Sequence, residues 1–164
     1  MQDEEKSFLK VEIRGLTEDH RGNPVVLLKS SDDDEVLPIW IGHAEAMAIR
    51  LQLEGESFDR PLTLDLLRTT VESLGATVLK VAVTELRDNT FFAKIHLQRG
   101  EEIHVIDARP SDSIALALRT KSPIYVSTEV FENHKRALHD AGGADQDSDD
   151  ELRRYLRDLD PGEF

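Results

Sequence analysis

The chain has 164 residues, 39% of them hydrophobic and 32% charged, and 33 acidic against 20 basic side chains give a net charge of −13. That length suits one domain with some extra tail, and the low apolar share fits a modest core with solvated ends. No run approaches the roughly 18 apolar residues of a membrane span. The start, MQDEEKSF, is acidic and lacks the apolar segment of a secretory signal. Cysteine is absent, which excludes disulfides, thiolate metal sites and cysteine nucleophiles. A cytoplasmic protein with no membrane partner is the expectation. The acidity is uneven: residues 1–35 hold 10 acids and 5 bases, residues 140–164 hold 9 and 3, and residues 36–139 hold 14 and 12. The middle is therefore nearly neutral, yet it shows no Lys/Arg stripe of the kind a tight duplex binder needs.

In chain order, Phe8 to Arg14 alternates apolar and polar residues as a half-buried strand does. Gly22-Asn23-Pro24 punctuates, and Val25 to Leu28 reads as a second, more buried strand. The acidic run Ser30 to Glu35 lacks the alternate carboxylates, mid-loop glycine and distal glutamate of a calcium loop, and reads as a solvated turn. Val36 to Ile41 is a third strand, placed at an edge or bulge by Pro38. Gly42 opens a helix running to about Leu53 and closed by Gly55, with Ala44, Met47, Ala48 and Leu51 as its expected buried stripe. A second helix follows Arg60-Pro61-Leu62, with Thr63 as N-cap, Leu67, Val71 and Leu74 inward, and Gly75 as the stop.

Leu79, Val81 and Val83 mark another strand, and Arg87-Asp88-Asn89 turns the chain. Phe91, Ala93, Ile95 and Leu97 then share one face, against Phe92, Lys94, His96 and Gln98. A turn at Gly100 leads to Ile103–Ile106, setting His96 opposite His104 on an outer face. IDARPSDSIALALR, residues 106–119, supplies a third helix. Pro123 to Val126 is a short strand, and Thr128 to Leu138 a weaker helix. Residues 140–150 read as a disordered acidic linker and 151–164 as a short helix and tail, leaving 1–7 as a flexible N-terminus and 8–139 as the domain. The fold class is α+β: a mixed, largely antiparallel sheet packed with three to four helices.

No P-loop, dinucleotide fingerprint, zinc-ligand motif or nucleophile elbow is present. Pro110 suits the first helical position, which puts Asp112 at N3, where a carboxylate complements the free N–H groups and the helix dipole. Asp107 ends a strand expected to enter the core, and Arg109 either pairs with an acid or holds a phosphate through its planar fork. Glu45 and Asp65 fall in the first turns of their helices. Together with Asp107 and Asp112 they make four acids at helix entries. If these entries converge, the acids suit Mg²⁺ or Mn²⁺, two of which cleave phosphodiesters by generating hydroxide and neutralising the transition state.

Three blocks carry a family resemblance: Leu37-Pro38-Ile39-Trp40-Ile41-Gly42 with Glu45-Ala46, Arg60 through Leu67, and Ile106 through Ala117. Thr90-Phe91-Phe92-Ala93 and Pro123-Ile124-Tyr125-Val126 fit the same pattern. In order and spacing they resemble the bifunctional nuclease family from about Phe8 to Leu138. The resemblance implies an α+β domain that self-associates, most simply as a dimer, and a nuclease activity on DNA and RNA. The chain departs from the pattern at Leu64, where the family usually has histidine, and at Phe92, where tyrosine is common. If that histidine serves the family as a general base or metal ligand, this chain is impaired or uses another group. The resulting expectation is a weak nuclease of little sequence preference. In it Asp107, Asp112, Glu45 and Asp65 act in catalysis, Asp107 and Asp112 hold metal, and Arg109 and Arg60 bind phosphate. The competing expectation is a non-enzymatic regulatory or interaction module on the same fold.

Overall fold

A computed structural model of the chain describes residues 6–31 and 34–137. The first five residues, Asp32, Asp33 and the expected linker and tail helix beyond Ala137 lie outside the described residues. The elements are β1 (Phe8–Glu18), β2 (Pro24–Ser30), β3 (Glu35–Trp40), α1 (His43–Leu53), α2 (Thr63–Ser73), β4 (Thr77–Arg87), β5 (Thr90–Arg99), β6 (Glu102–Ala108), α3 (Pro110–Thr120), β7 (Ile124–Ser127), α4 (Thr128–His134) and β8 (Arg136–Ala137). They build one eight-stranded sheet in the order β6-β5-β4-β7-β1-β2-β3-β8. Every pairing is antiparallel except β4 with β7, so the sheet is mixed and largely antiparallel, as expected.

Local chemistry explains the turns. Asp88 and Asn89 both take positive φ, 51° and 58°, the left-handed pair that a two-residue hairpin needs to match strand twist. Pro38 pairs with Leu27 on one side, while β8 reaches only Glu35 and Val36 on the other. The missing N–H of Pro38 therefore faces no partner strand, which answers the edge expectation.

The sheet curls. The end of β3 (Ile39, Trp40) and the start of β5 (Thr90, Phe91) line the same cavity although four strands separate them in the sheet. The core fills the curl: Val26, Leu28 and Ile39 meet Val81, Ile95 and the apolar run Ile114–Ala117 of α3. Helix α3 is buried along most of its length, and both α1 and α2 pack against it.

Several expectations give way to the geometry. In α1 Ile49 is buried and Glu45, Ala46, Ala48, Leu51 and Gln52 are half-buried, so Ala48 and Leu51 of the expected stripe turn inward whereas Ala44 and Met47 face solvent. Alanine and methionine carry too weak a signal to fix a helix's phase, and Ile49 fixes it instead. In α2 the half-buried residues are Leu64, Arg68 and Val71, while Leu67 and Leu74 are exposed, and Leu62 rather than Thr63 is the N-cap. β6 does not enter the core: it is the sheet's edge, with Ile103 52% and Val105 51% exposed. His96 does not face His104. The hairpin turns on two residues, pairing His96 with Val105 and Leu97 with His104, so the imidazoles take opposite faces. The chain after α3 forms a seven-residue helix, α4, and then the short strand β8 in place of one helix to Leu138.

Candidate functional site

Two helix entries meet. Gly42 is the N-cap of α1 and Arg109 the N-cap of α3, which makes Glu45 and Asp112 the N3 residues of their helices. Arg109 grips Asp112 through two bonds, Nε to Oδ2 at 2.7 Å and Nη2 to Oδ1 at 3.1 Å. Its Nη1 donates to Glu45 Oε1 at 2.9 Å, across 64 residues of sequence. Such a forked arginine is held in one orientation as well as one place. The second Glu45 oxygen lies over Gly42, where a Cβ would overlap it. Glycine at that cap thus makes room for the carboxylate to turn inward. A hydrogen bond from its own backbone N–H, joined by the Arg109 bond, holds Glu45 below the ordinary carboxylate range against the upward push of burial. Asp112 first and Glu45 second raise Arg109 further above its usual value.

The assembly sits at the mouth of a cavity of about 450 Å³ walled by Asn23, Trp40, Asn89, Thr90 and Phe91, with Arg109 and Ser111 at one side. Ser111, at N2 of α3, is only 5% exposed, and its hydroxyl makes no hydrogen bond among the described residues. A hydroxyl left open to the cavity in a helix's first turn, beside a fixed guanidinium, is what an anion would complete. Trp40 is fixed in turn by Asp19. The Asp19 carboxylate accepts from the Trp40 indole Nε1 and the Asn23 Nδ2, both at 3.0 Å, and from the backbone N–H of Arg21 and Asn23, both at 2.9 Å. Neither Asp19 nor Ser111 stands among the residues that the sequence singles out. The D-x-R-G-N turn before a strand was the one available signal for Asp19.

The remaining expected site residues lie elsewhere. Asp65 accepts from Leu62 N–H at 2.9 Å and from Arg119 Nε at 2.9 Å, and these two bonds, in that order of weight, hold its carboxyl below the usual range. Arg119, 6% exposed, also donates to the Ala115 and Ala48 carbonyls, so this pair locks α1, α2 and α3 together and does not face the cavity mouth. Asp107 stands exposed on β6, across from Lys94, in no ion pair among the described residues. Arg60 is exposed in the loop before α2. Leu64 packs against the core. The structure thus brings together Glu45, Arg109 and Asp112 and keeps Asp65, Asp107 and Arg60 apart from them.

Among the described residues the acids are not gathered into a protein cage for a divalent ion: no three His, Asp or Glu side chains come together to hold one. The two carboxylates that do approach each other are already bonded to one guanidinium. A protein cage for Mg²⁺ or Mn²⁺ needs free oxygens in octahedral array.

The signature of the bifunctional nuclease domain matches residues 26–139, and the chain belongs to that family. It is 35% identical over 153 residues to an uncharacterized protein of Mycobacterium tuberculosis, covering 90% of this chain and 92% of that one. It is also 27% identical over 113 residues to Bifunctional nuclease 1 of Oryza sativa subsp. japonica, covering 67% of this chain and 34% of the plant protein. Bifunctional nuclease 1 of Arabidopsis thaliana is 28% identical over 113 residues, with coverage of 66% and 35%. The chain therefore spans about a third of the length of these plant relatives.

Proposed function

We propose that this chain hydrolyses phosphodiester bonds of DNA or RNA with little sequence preference, binding a phosphate at the α3 entry and a neighbouring nucleoside in the Trp40–Phe91 cavity. The observation that carries this reading is Arg109 locked between Glu45 and Asp112 beside the unpartnered Ser111 hydroxyl. Three of the five guanidinium N–H donors are used by the two acids, so two stay free for a phosphate. Donors already oriented stabilise the charge on a transferring phosphoryl group without reorganising, which is where such sites gain most of their rate. The amides of Asn23 and Asn89 offer both donor and acceptor, which suits any base edge. Glu45, held ionised, is a weak proton acceptor for an attacking water, so turnover is expected to be slow.

The test is hydrolysis of single-stranded DNA and RNA by purified protein in Mg²⁺, in Mn²⁺ and in EDTA. Arg109→Ala should lose on the order of 100-fold, the effect of removing one oriented donor. Asp112→Asn and Glu45→Gln should be impaired, and Asp107→Asn should keep its activity. Hydrolysis that survives in all three site variants, each shown folded by circular dichroism, would remove this site and point to a contaminating enzyme. Without a carboxylate cage, Mn²⁺ should leave the melting temperature of the free protein unchanged. A rise of several degrees that Asp112→Asn abolishes would assign a resident ion after all.

Self-association belongs to the same reading. Among the described residues β6 offers an unpaired backbone edge with Ile103, Val105 and Ile106 exposed, and a second copy of β6 antiparallel to it satisfies both the hydrogen bonds and the apolar surface.

A further inference from the structure

The sheet has a second face, turned away from the core. Register places Asp107, Lys94, Ala82, Tyr125 and Lys10 in one row across five neighbouring strands. Lys80 and His96 form the adjoining row. Lys10, Lys80 and Lys94 are exposed, and none of them is in an ion pair among the described residues. The small Ala82 leaves a floor between Lys94 and Tyr125, and the Lys80 ammonium lies 5.7 Å from the centre of the Tyr125 ring. One strand end further on, Arg87 covers the Phe92 ring at 4.6 Å. The local potential is positive: after burial, Lys80 and Lys94 are the next causes that lower His96 below the usual imidazole value. Asp107 and Glu12 mark the rims of the patch, and register sets the half-buried Glu85 beside Phe92.

We infer that this face binds single-stranded nucleic acid, its phosphates on Lys94, Lys80 and Lys10 and its bases against Tyr125 and Phe92. This goes beyond the cavity reading, because it needs no hydrolysis and uses none of the cavity's residues. Three cations outside any ion pair, interleaved with rings across neighbouring strands, suit a strand whose phosphates and bases alternate. Lys94 to Lys10 crosses three strand spacings, roughly 14 Å, which several nucleotides bridge. The chain's net acidity does not oppose this. Residues 36–139, which carry Lys80 and Lys94, hold 14 acids against 12 bases and are nearly neutral.

The test is fluorescence anisotropy of phosphorothioate oligo(dT) and oligo(rU) in EDTA over a salt series. The full chain should bind both, and Lys80→Glu with Lys94→Glu should weaken binding at least tenfold. The double variant should also flatten the slope of log affinity against log salt by about 1.4, for two lost phosphate contacts. Unchanged affinity in the double variant overturns the proposal. So does poly-glutamate bound as tightly as the oligonucleotides, which assigns the face to an acidic protein segment. Neither Lys80 nor Lys94 lines the cavity, so hydrolysis of a dinucleotide should be equal in the double variant and the parent. Strand binding in a parent that cleaves nothing would leave this face standing and remove only the cavity reading.

Discussion

Asp19 shows how much one residue can organise. Burial pushes its carboxyl up, but the side chain and backbone of Asn23, the Trp40 indole and the Arg21 N–H together outweigh burial and lower it to about 2. A carboxyl depressed in the folded chain stabilises it fully above the ordinary value of 3.8, and that contribution is lost as pH falls toward 2. Asp19→Asn should therefore cost roughly 2 kcal/mol at neutral pH, read from urea midpoints. The variant's deficit should shrink steadily between about pH 4 and pH 2. It should also blue-shift or broaden the emission of the single tryptophan, since Trp40 loses its fixed partner. An equal deficit at pH 2 and pH 7 would show that the carboxylate charge is not what holds this corner.

At the scale of elements, the three helices are tied by Arg119 on α3, which reaches Asp65 at the start of α2 and the Ala48 carbonyl on α1. Removing one partner of a buried pair leaves the other groups without compensation. Arg119→Ala should cost about 3 kcal/mol or more. Arg119→Met combined with Asp65→Leu should recover most of it, because the volume is refilled and no charge is left behind; denaturant unfolding of the four proteins in the cycle measures this. The strands and the α3 entry were legible in the sequence because they rest on local rules: alternation in Phe91–Leu97, Pro at N1, paired turn residues at Asp88-Asn89. The phases of α1 and α2 were not. Their apolar residues do not outnumber the alternatives on the other face, and tertiary packing chose between them. That choice decides the candidate site, since it is the true phase of α1 that turns Glu45 inward. The pairing of Asp65 with Arg119 was equally out of reach, because nothing local joins residues 54 positions apart.

Across the whole molecule, β6 and the open face meet at Asp107 and Val105. Joining two copies through β6 would extend the basic rows of one protomer into those of its partner. Sedimentation velocity should find a dimer for the parent chain and a monomer for Ile103→Lys with Val105→Lys, both exposed positions whose exchange should leave thermal stability within about 1 kcal/mol. A dimer that persists in that variant would move the contact elsewhere on the surface.

The order of strands in the sheet also governs when the cavity can form. β7, a four-residue strand near the end of the described chain, lies between β4 and β1 and is the one bridge joining β6-β5-β4 to β1-β2-β3-β8. Until Ile124–Ser127 is in place, the two walls of the Trp40–Phe91 cavity belong to unconnected sheets. A chain still emerging from the ribosome has already made Glu45, Arg109 and Asp112 but cannot yet hold them in register. Contacts of such long sequence separation form late and slowly. Completion of the central strand is thus the event that unites the cavity: a half-made chain carries both walls without the strand that spaces them.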